Sequence, residues 1–225
     1  VKVLLAALFL FSANAFALDF DREVPQNTRT QMNGDLEFIS AVAGAGASPL
    51  HQQVFGQVQG ATYHDWFFSR IRRVGYDANA GGGAVAYVQP FFDSEKMYLT
   101  QNYTNFSHPQ IARLMIFFHE ARHTENKSGN WMHATCPTPF LDKEGHEVKS
   151  IWTGLPLAGQ AGCDRVAVGS YGLTVVMNKN IEKSCTSCTE KVRMDAGLYA
   201  DDQFKRITNP QAAQQLTNDL YGPAL

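Results

Sequence analysis

Apolar residues follow helical spacing through the first third of the chain, give way to short β-prone runs after Gly81-Gly82-Gly83, and return to helical spacing at Ile111. Residues 18–33 are polar and broken by Pro25 and Asn33-Gly34, which predicts a surface arm. Asp35 to Val42 has helical spacing and stops at Gly44 and Gly46. Ser48-Pro49-Leu50-His51 opens a second helix with Ser48 as cap and His51 as a first-turn surface residue. Tyr63, Trp66, Phe67 and Ile71 lie three, four and eight apart, the pattern of a helix face packed into a core. Residues 84–88 and 97–100 predict the arms of a hairpin, and the triple glycine before them predicts a turn, since no phosphate-loop lysine follows it. Cys163 to Met177 has the length of a second long helix. The chain from Asp195 onward predicts one or two short helices around Phe204 and Leu216–Leu220. The fold expected is α+β, mainly helical, with a small β-hairpin or sheet packed on a central helix, in one domain spanning 18–225.

That central helix carries the chemistry. Ser107-His108-Pro109-Gln110 predicts its start, with Ser107 as cap and Pro109 in the first turn, and Asn126, Ser128 and Gly129 predict its end. Ile111, Leu114, Met115 and Phe118 form a face to be buried against sheet and aromatic helix, leaving the other side to present His119-Glu120-Ala121-Arg122-His123. Histidines four apart stand about 6 Å apart along one helix face, the separation at which two imidazoles close on one metal ion. Glu120 between them can reach a water on that ion. A chance match to H-E-x-x-H in a chain of this composition has a probability of roughly 1%, so the helical setting matters as much as the letters.

The start of the chain changes the picture of where this chemistry operates. Lys2, an apolar segment from Val3 to Phe11 and Ala15-Phe16-Ala17 are the parts of a secretory signal peptide, residues 1–17, with cleavage after Ala17. The segment is short of the roughly 20 residues that cross a bilayer, so no stable membrane insertion is expected after cleavage. Export to the periplasm or medium implies that Cys136, Cys163, Cys185 and Cys188 form two disulfides. Of the three pairings, Cys136–Cys163 with Cys185–Cys188 is favoured. A formal charge of −2, or −3 without Lys2, suggests no nucleic-acid partner.

Zinc takes three protein ligands and a water. Two residues compete for the third place beside His119 and His123. His133 lies ten residues after His123 and offers the better zinc donor. Asp164 opens the second long helix, with Tyr171 two turns on. A Cys136–Cys163 bridge would hold the two candidates together. His133 is preferred, with Asp164 as the alternative.

On His119-Glu120-x-x-His123 the chain resembles the zincin superfamily of zinc-dependent peptidases. It is also similar to a group of exported bacterial proteins that carry H-E-A-R-H, H-x-x-C-P (His133 to Pro137) and C-D-x-x-x-x-G-x-Y-G (Cys163 to Gly172), a likeness that implies a family without assigning an activity. The zincin resemblance implies ligands His119 and His123, Glu120 as general base, and Tyr171 as a stabiliser of an oxyanion. Arg122 departs from the usual uncharged residues between the histidines. It would pair with Glu125 or Asp164, or bind a substrate carboxylate.

The function expected is therefore a secreted or periplasmic zinc metallopeptidase acting on protein, or on a cell-wall peptide. A hairpin edge beside the metal would hold the extended substrate by strand addition. The alternatives are a non-catalytic metal-binding or structural protein on the same scaffold, and a zinc hydrolase for a non-peptide amide.

Overall fold

The computed structural model describes residues 18–105, 107–128, 130 and 132–222; the leader assigned to residues 1–17 and the helix stop assigned to Gly129 lie outside them. The elements run β1 (Asp19–Phe20), α1 (Gln26–Ser40), α2 (Pro49–Val54), α3 (Gly60–Phe68), β2 (Arg73–Asp77), β3 (Ala86–Gln89), β4 (Asp93–Thr100), α4 (Gln101–Asn105), α5 (Gln110–His123), β5 (Ala134–Thr135), β6 (Ala161–Cys163), α6 (Ser170–Ser184), α7 (Glu190–Phe204) and α8 (Pro210–Leu220). The fold is α+β, with a mixed four-stranded sheet in the order β1-β2-β4-β3 and a two-stranded sheet of β5 and β6.

The hairpin is present as the antiparallel pair β3–β4, with Val88 opposite Met97. Two further strands extend it: β4 pairs in parallel with β2, and β2 in parallel with β1. Neither is legible in the sequence, because only Val74 and Gly75 of β2 are buried and their partners lie far away along the chain.

The surface arm expected over residues 18–33 is instead the start of α1, which continues through Asn33-Gly34. Burial of Met32, Leu36 and Ile39 outweighs the roughly 1 kcal/mol cost of a helical glycine. Arg29 fastens the entry by donating to the carbonyls of Asp21, Arg22 and Val24. Ser48 does cap α2, but His51 is fully buried rather than on the surface. Its ring bridges the Gly56 carbonyl (2.9 Å) and the Tyr63 hydroxyl (2.7 Å), and burial lowers its pKa.

The aromatic stripe of α3 forms core, as its spacing predicts. Tyr63, Phe67 and Ile71 are fully buried, and Trp66 stacks on Phe118 of α5 at 5.5 Å between ring centroids. Helix α5 begins two residues later than Ser107 would place it. Pro109 occupies the cap position without a side-chain bond, and its carbonyl accepts from Ala112 and Arg113. Arg113 holds this start by donating to the His108 carbonyl and pairing with buried Asp35 at 2.6 Å. Ala112, Ile116 and Phe117 are buried along with the predicted face, so α5 has no solvent side. Its second side is covered by α6 and by the loop region that follows it.

Helix α6 starts at Ser170, not Cys163. Cys163 belongs to β6, and Asp164 is held outside the helix by backbone bonds with Arg206 and Thr208, each 2.9 Å. Both expected disulfides are formed, Cys136–Cys163 and Cys185–Cys188. The first closes a small apolar cluster of Phe140, Val148 and Leu157. Among the described residues no helix is long and apolar enough to cross a membrane.

Candidate metal centre

The last turn of α5 presents His119 and His123 to one point, and His133 reaches the same point from the residue before β5. The three Nε2 atoms form a triangle with edges of 3.1 Å (His119–His133), 3.2 Å (His119–His123) and 3.0 Å (His123–His133). Three nitrogens bound to one tetrahedral ion at about 2.0–2.1 Å stand about 3.3 Å apart. The triangle is therefore close to one face of a zinc-type tetrahedron.

The opposite ring nitrogens decide which atoms face the centre. His123 Nδ1 lies 2.6 Å from the Asn130 carbonyl oxygen, which can only accept, so Nδ1 carries the proton and Nε2 presents a lone pair. His133 Nδ1 lies 3.1 Å from Asp164 Oδ1, with the same consequence. Two acceptors 3.0 Å apart with no proton between them repel unless a cation stands near both. Outer hydrogen bonds of this kind orient metal-binding imidazoles and raise their basicity. The three histidines can thus hold a metal ion.

Burial favours the neutral, ligating form. Desolvation, together with the neighbouring imidazoles, lowers His119 well below its ordinary value, and burial lowers His123 to about 4. Burial alone pushes the Glu120 carboxyl up to about 8.

Of the two candidates for the third place, His133 joins the triad and Asp164 does not. Asp164 stands behind His133, and its second oxygen accepts the backbone N–H of Tyr171 at 2.8 Å in the first turn of α6. One buried carboxylate thereby fixes an imidazole and a helix start together. The short sheet explains the arrangement. Ala134 pairs with Cys163 and the Cys136–Cys163 bridge locks the pairing, so the residues just outside it, His133 and Asp164, meet.

Glu120, Tyr171 and the triad line one cleft of about 790 Å³. Its walls come from Val85 to Val88 of the β3 region, from Met115 and Ile116 of α5, and from Trp152, Thr153 and Leu155 to Leu157 of the loop region. β3 is an edge strand of its sheet. The Tyr171 ring stacks on His133 at 4.6 Å and tilts against His119 at 4.5 Å. Its hydroxyl accepts from Arg206 at 2.8 Å, which leaves the phenolic proton to be donated elsewhere.

Arg122, expected to bind substrate, is not among the residues that line this cleft. Its Nε donates to the Val168 carbonyl (3.0 Å) and its Nη1 to Glu125 (2.5 Å), so it ties the end of α5 to the approach to α6. Glu125 also accepts from Arg70 at 2.7 Å. Pairing with Glu125 is one of the alternatives the sequence offers for Arg122.

Sequence reasoning missed Arg206. It enters the cleft from the segment after α7, 35 residues from its hydrogen-bond partner Tyr171, and no local motif marks it. No protein-family model, curated protein or solved structure matches the chain.

Proposed function

We propose that the protein is a zinc-dependent hydrolase acting on peptide bonds outside the cytoplasm, on the zincin-like scaffold that the H-E-x-x-H helix suggests. One observation carries this reading: three imidazole Nε2 atoms within 3.2 Å of one another, two of them with their outer nitrogens committed to acceptors. An all-imidazole donor set suits zinc. His119, His123 and His133 would hold the ion, which supplies Lewis acidity and brings the pKa of a water toward neutrality.

The chain's own groups do the rest. Glu120, next to a ligand and in the cleft, would be held ionised by the charge of a bound cation against the burial that raises it in the metal-free chain, and so could take a proton from the attacking water and deliver it to the leaving amine. Tyr171, with Arg206 donating to its oxygen, has its proton free for the oxyanion that develops on the substrate carbonyl. The β3 edge beside the triad supports an extended peptide bound by strand addition. Two disulfides and a leader-like start favour an oxidising compartment, where a cell-wall peptide is one available substrate.

The test is metal analysis of the purified mature chain, followed by peptide cleavage by the native protein and by Glu120→Gln. We expect about one zinc per chain in both, and loss of about 10²- to 10⁴-fold in kcat for Glu120→Gln. Equal rates would rule out the hydrolytic reading. Stoichiometric metal with no cleavage of any peptide would favour a binding or structural role for the same centre.

A further inference from the structure

The cleft contains a cation, Arg206, of which the proposed chemistry uses only one N–H, the one given to Tyr171. Arg206 is only 5% exposed, yet its side chain is part of the cleft wall. Its Nη1 donates to the Tyr171 hydroxyl (2.8 Å) and, at 3.5 Å, to the Gly162 carbonyl. Asp202 feels its charge, but among the described residues no carboxylate reaches ion-pair distance of the guanidinium, unlike those of Arg70, Arg113 and Arg122. A buried guanidinium presents five N–H donors in a planar fork, and here only Nη1 is bonded, to Tyr171 and Gly162. A side chain kept in that state, facing a cleft, is suited to an anion that arrives from outside.

The position selects the kind of anion. Arg206 Cζ lies 4.6 Å from the Tyr171 ring centroid, and that ring is 4.6 Å from the His133 ring, so Tyr171 is the spacer between the fork and the triad. An extended peptide advances about 3.3 Å per residue, which puts a group on Arg206 within about three residues of a carbonyl at the triad. Leu157, Met115 and Val85 give the cleft apolar wall, and Gln160 and Gln203 give it neutral polar groups. The mount is rigid: the Arg206 carbonyl accepts from Asp164 N–H, next to the Cys136–Cys163 bridge.

We infer that Arg206 is a substrate-binding residue that takes a carboxylate placed within about three residues of the scissile bond. The inference deepens the peptidase reading by giving it a substrate class. The carboxylate has two sources, a free peptide C-terminus or an acidic side chain, and the geometry of a planar fork fits both.

The experiment measures binding by calorimetry to the full mature chain carrying Glu120→Gln, with and without zinc. The probes are a short apolar peptide as its free acid, the same peptide as its C-terminal amide, and amidated versions with Glu or Gln at the penultimate position. We expect at least one carboxylate probe to bind about tenfold or more tightly than its neutral counterpart, as for a charge-assisted hydrogen bond. Free acid over amide identifies a C-terminal carboxylate, and Glu over Gln identifies a side chain. The preference should vanish in Arg206→Met and persist in part in Arg206→Lys, with unchanged circular dichroism. Equal affinity for acid, amide, Glu and Gln probes in the chain with native Arg206 overturns the inference without need of an Arg206 variant. So does a preference that survives in Arg206→Met, or one seen only with zinc and indifferent to Arg206, since the metal would then be the anion's partner. If zinc or cleavage is absent but the Arg206-dependent preference remains, the peptidase reading falls and the carboxylate site stands.

Discussion

Asp164 Oδ1 lies 3.1 Å from His133 Nδ1, and its other oxygen accepts the Tyr171 backbone N–H at 2.8 Å. A residue that competes with His133 for the metal on sequence grounds is instead its support. Asp164→Ala should weaken zinc affinity by about 10- to 100-fold, the usual cost of losing an outer hydrogen bond. It should also cost about 1 kcal/mol of stability through the unsatisfied first turn of α6. His133→Ala should reduce affinity far more. Chelator competition on the two variants decides, and equal losses would return Asp164 to the ligand set.

Tyr171→Phe removes one hydroxyl and leaves the stacking on His133 in place. Metal content should be unchanged, while kcat for peptide cleavage falls by about 10²- to 10³-fold, the range for removing one oxyanion donor. A variant that cleaves at the native rate would leave Tyr171 as packing only.

Stability should depend on pH through buried neutral histidines. Burial lowers the pKa of His51, and lowers His123 from 6.5 to about 4. Below about 6.5 the unfolded chain then binds protons that the folded chain excludes, so stability is present above that pH and lost as pH falls toward 4. Glu120, pushed up to about 8, acts with the opposite sign over the same interval, so the check is urea unfolding of metal-free protein at pH 7 and pH 5 for the native chain against His51→Gln. Replacing His51 with Gln should flatten part of the slope, since His51 lies away from the triad.

The two disulfides should differ in consequence. Cys136–Cys163 closes a separation of 27 residues, worth about 3.5 kcal/mol by loop entropy, and it also positions His133 against Asp164. Replacing both cysteines by serine should lower thermal stability and zinc affinity together. Removing Cys185–Cys188, separated by three residues, should leave zinc affinity within about twofold, because no metal-facing residue rests on it. Thermal melts and chelator titrations on both double variants test the contrast.

The sequence determined what is local or bound by a short rule. Helical spacing from Ile111 to Phe118 fixed α5, and with it the convergence of His119 and His123 and the place of Glu120 between them. Alternate apolar runs flanked by turn residues marked the β3–β4 hairpin, and the α3 aromatic stripe read correctly as core. The cysteine pairing favoured from the sequence is the one formed. The tertiary structure decided what depends on distant chain segments. β1 and β2 owe their existence to parallel partners, α1 to a core that buries Met32 and Leu36 despite Gly34, and His51 to its bond with Tyr63. The choice of His133 over Asp164 rests on the β5–β6 pairing, which sets one beside the metal point and the other one hydrogen bond behind it. Arg206 reached the cleft only because Asp164 pairs with the strand-like segment after α7. Ligand spacing along one helix is set by a 3.6-residue period; which loop residue completes the centre is set by where the rest of the chain packs.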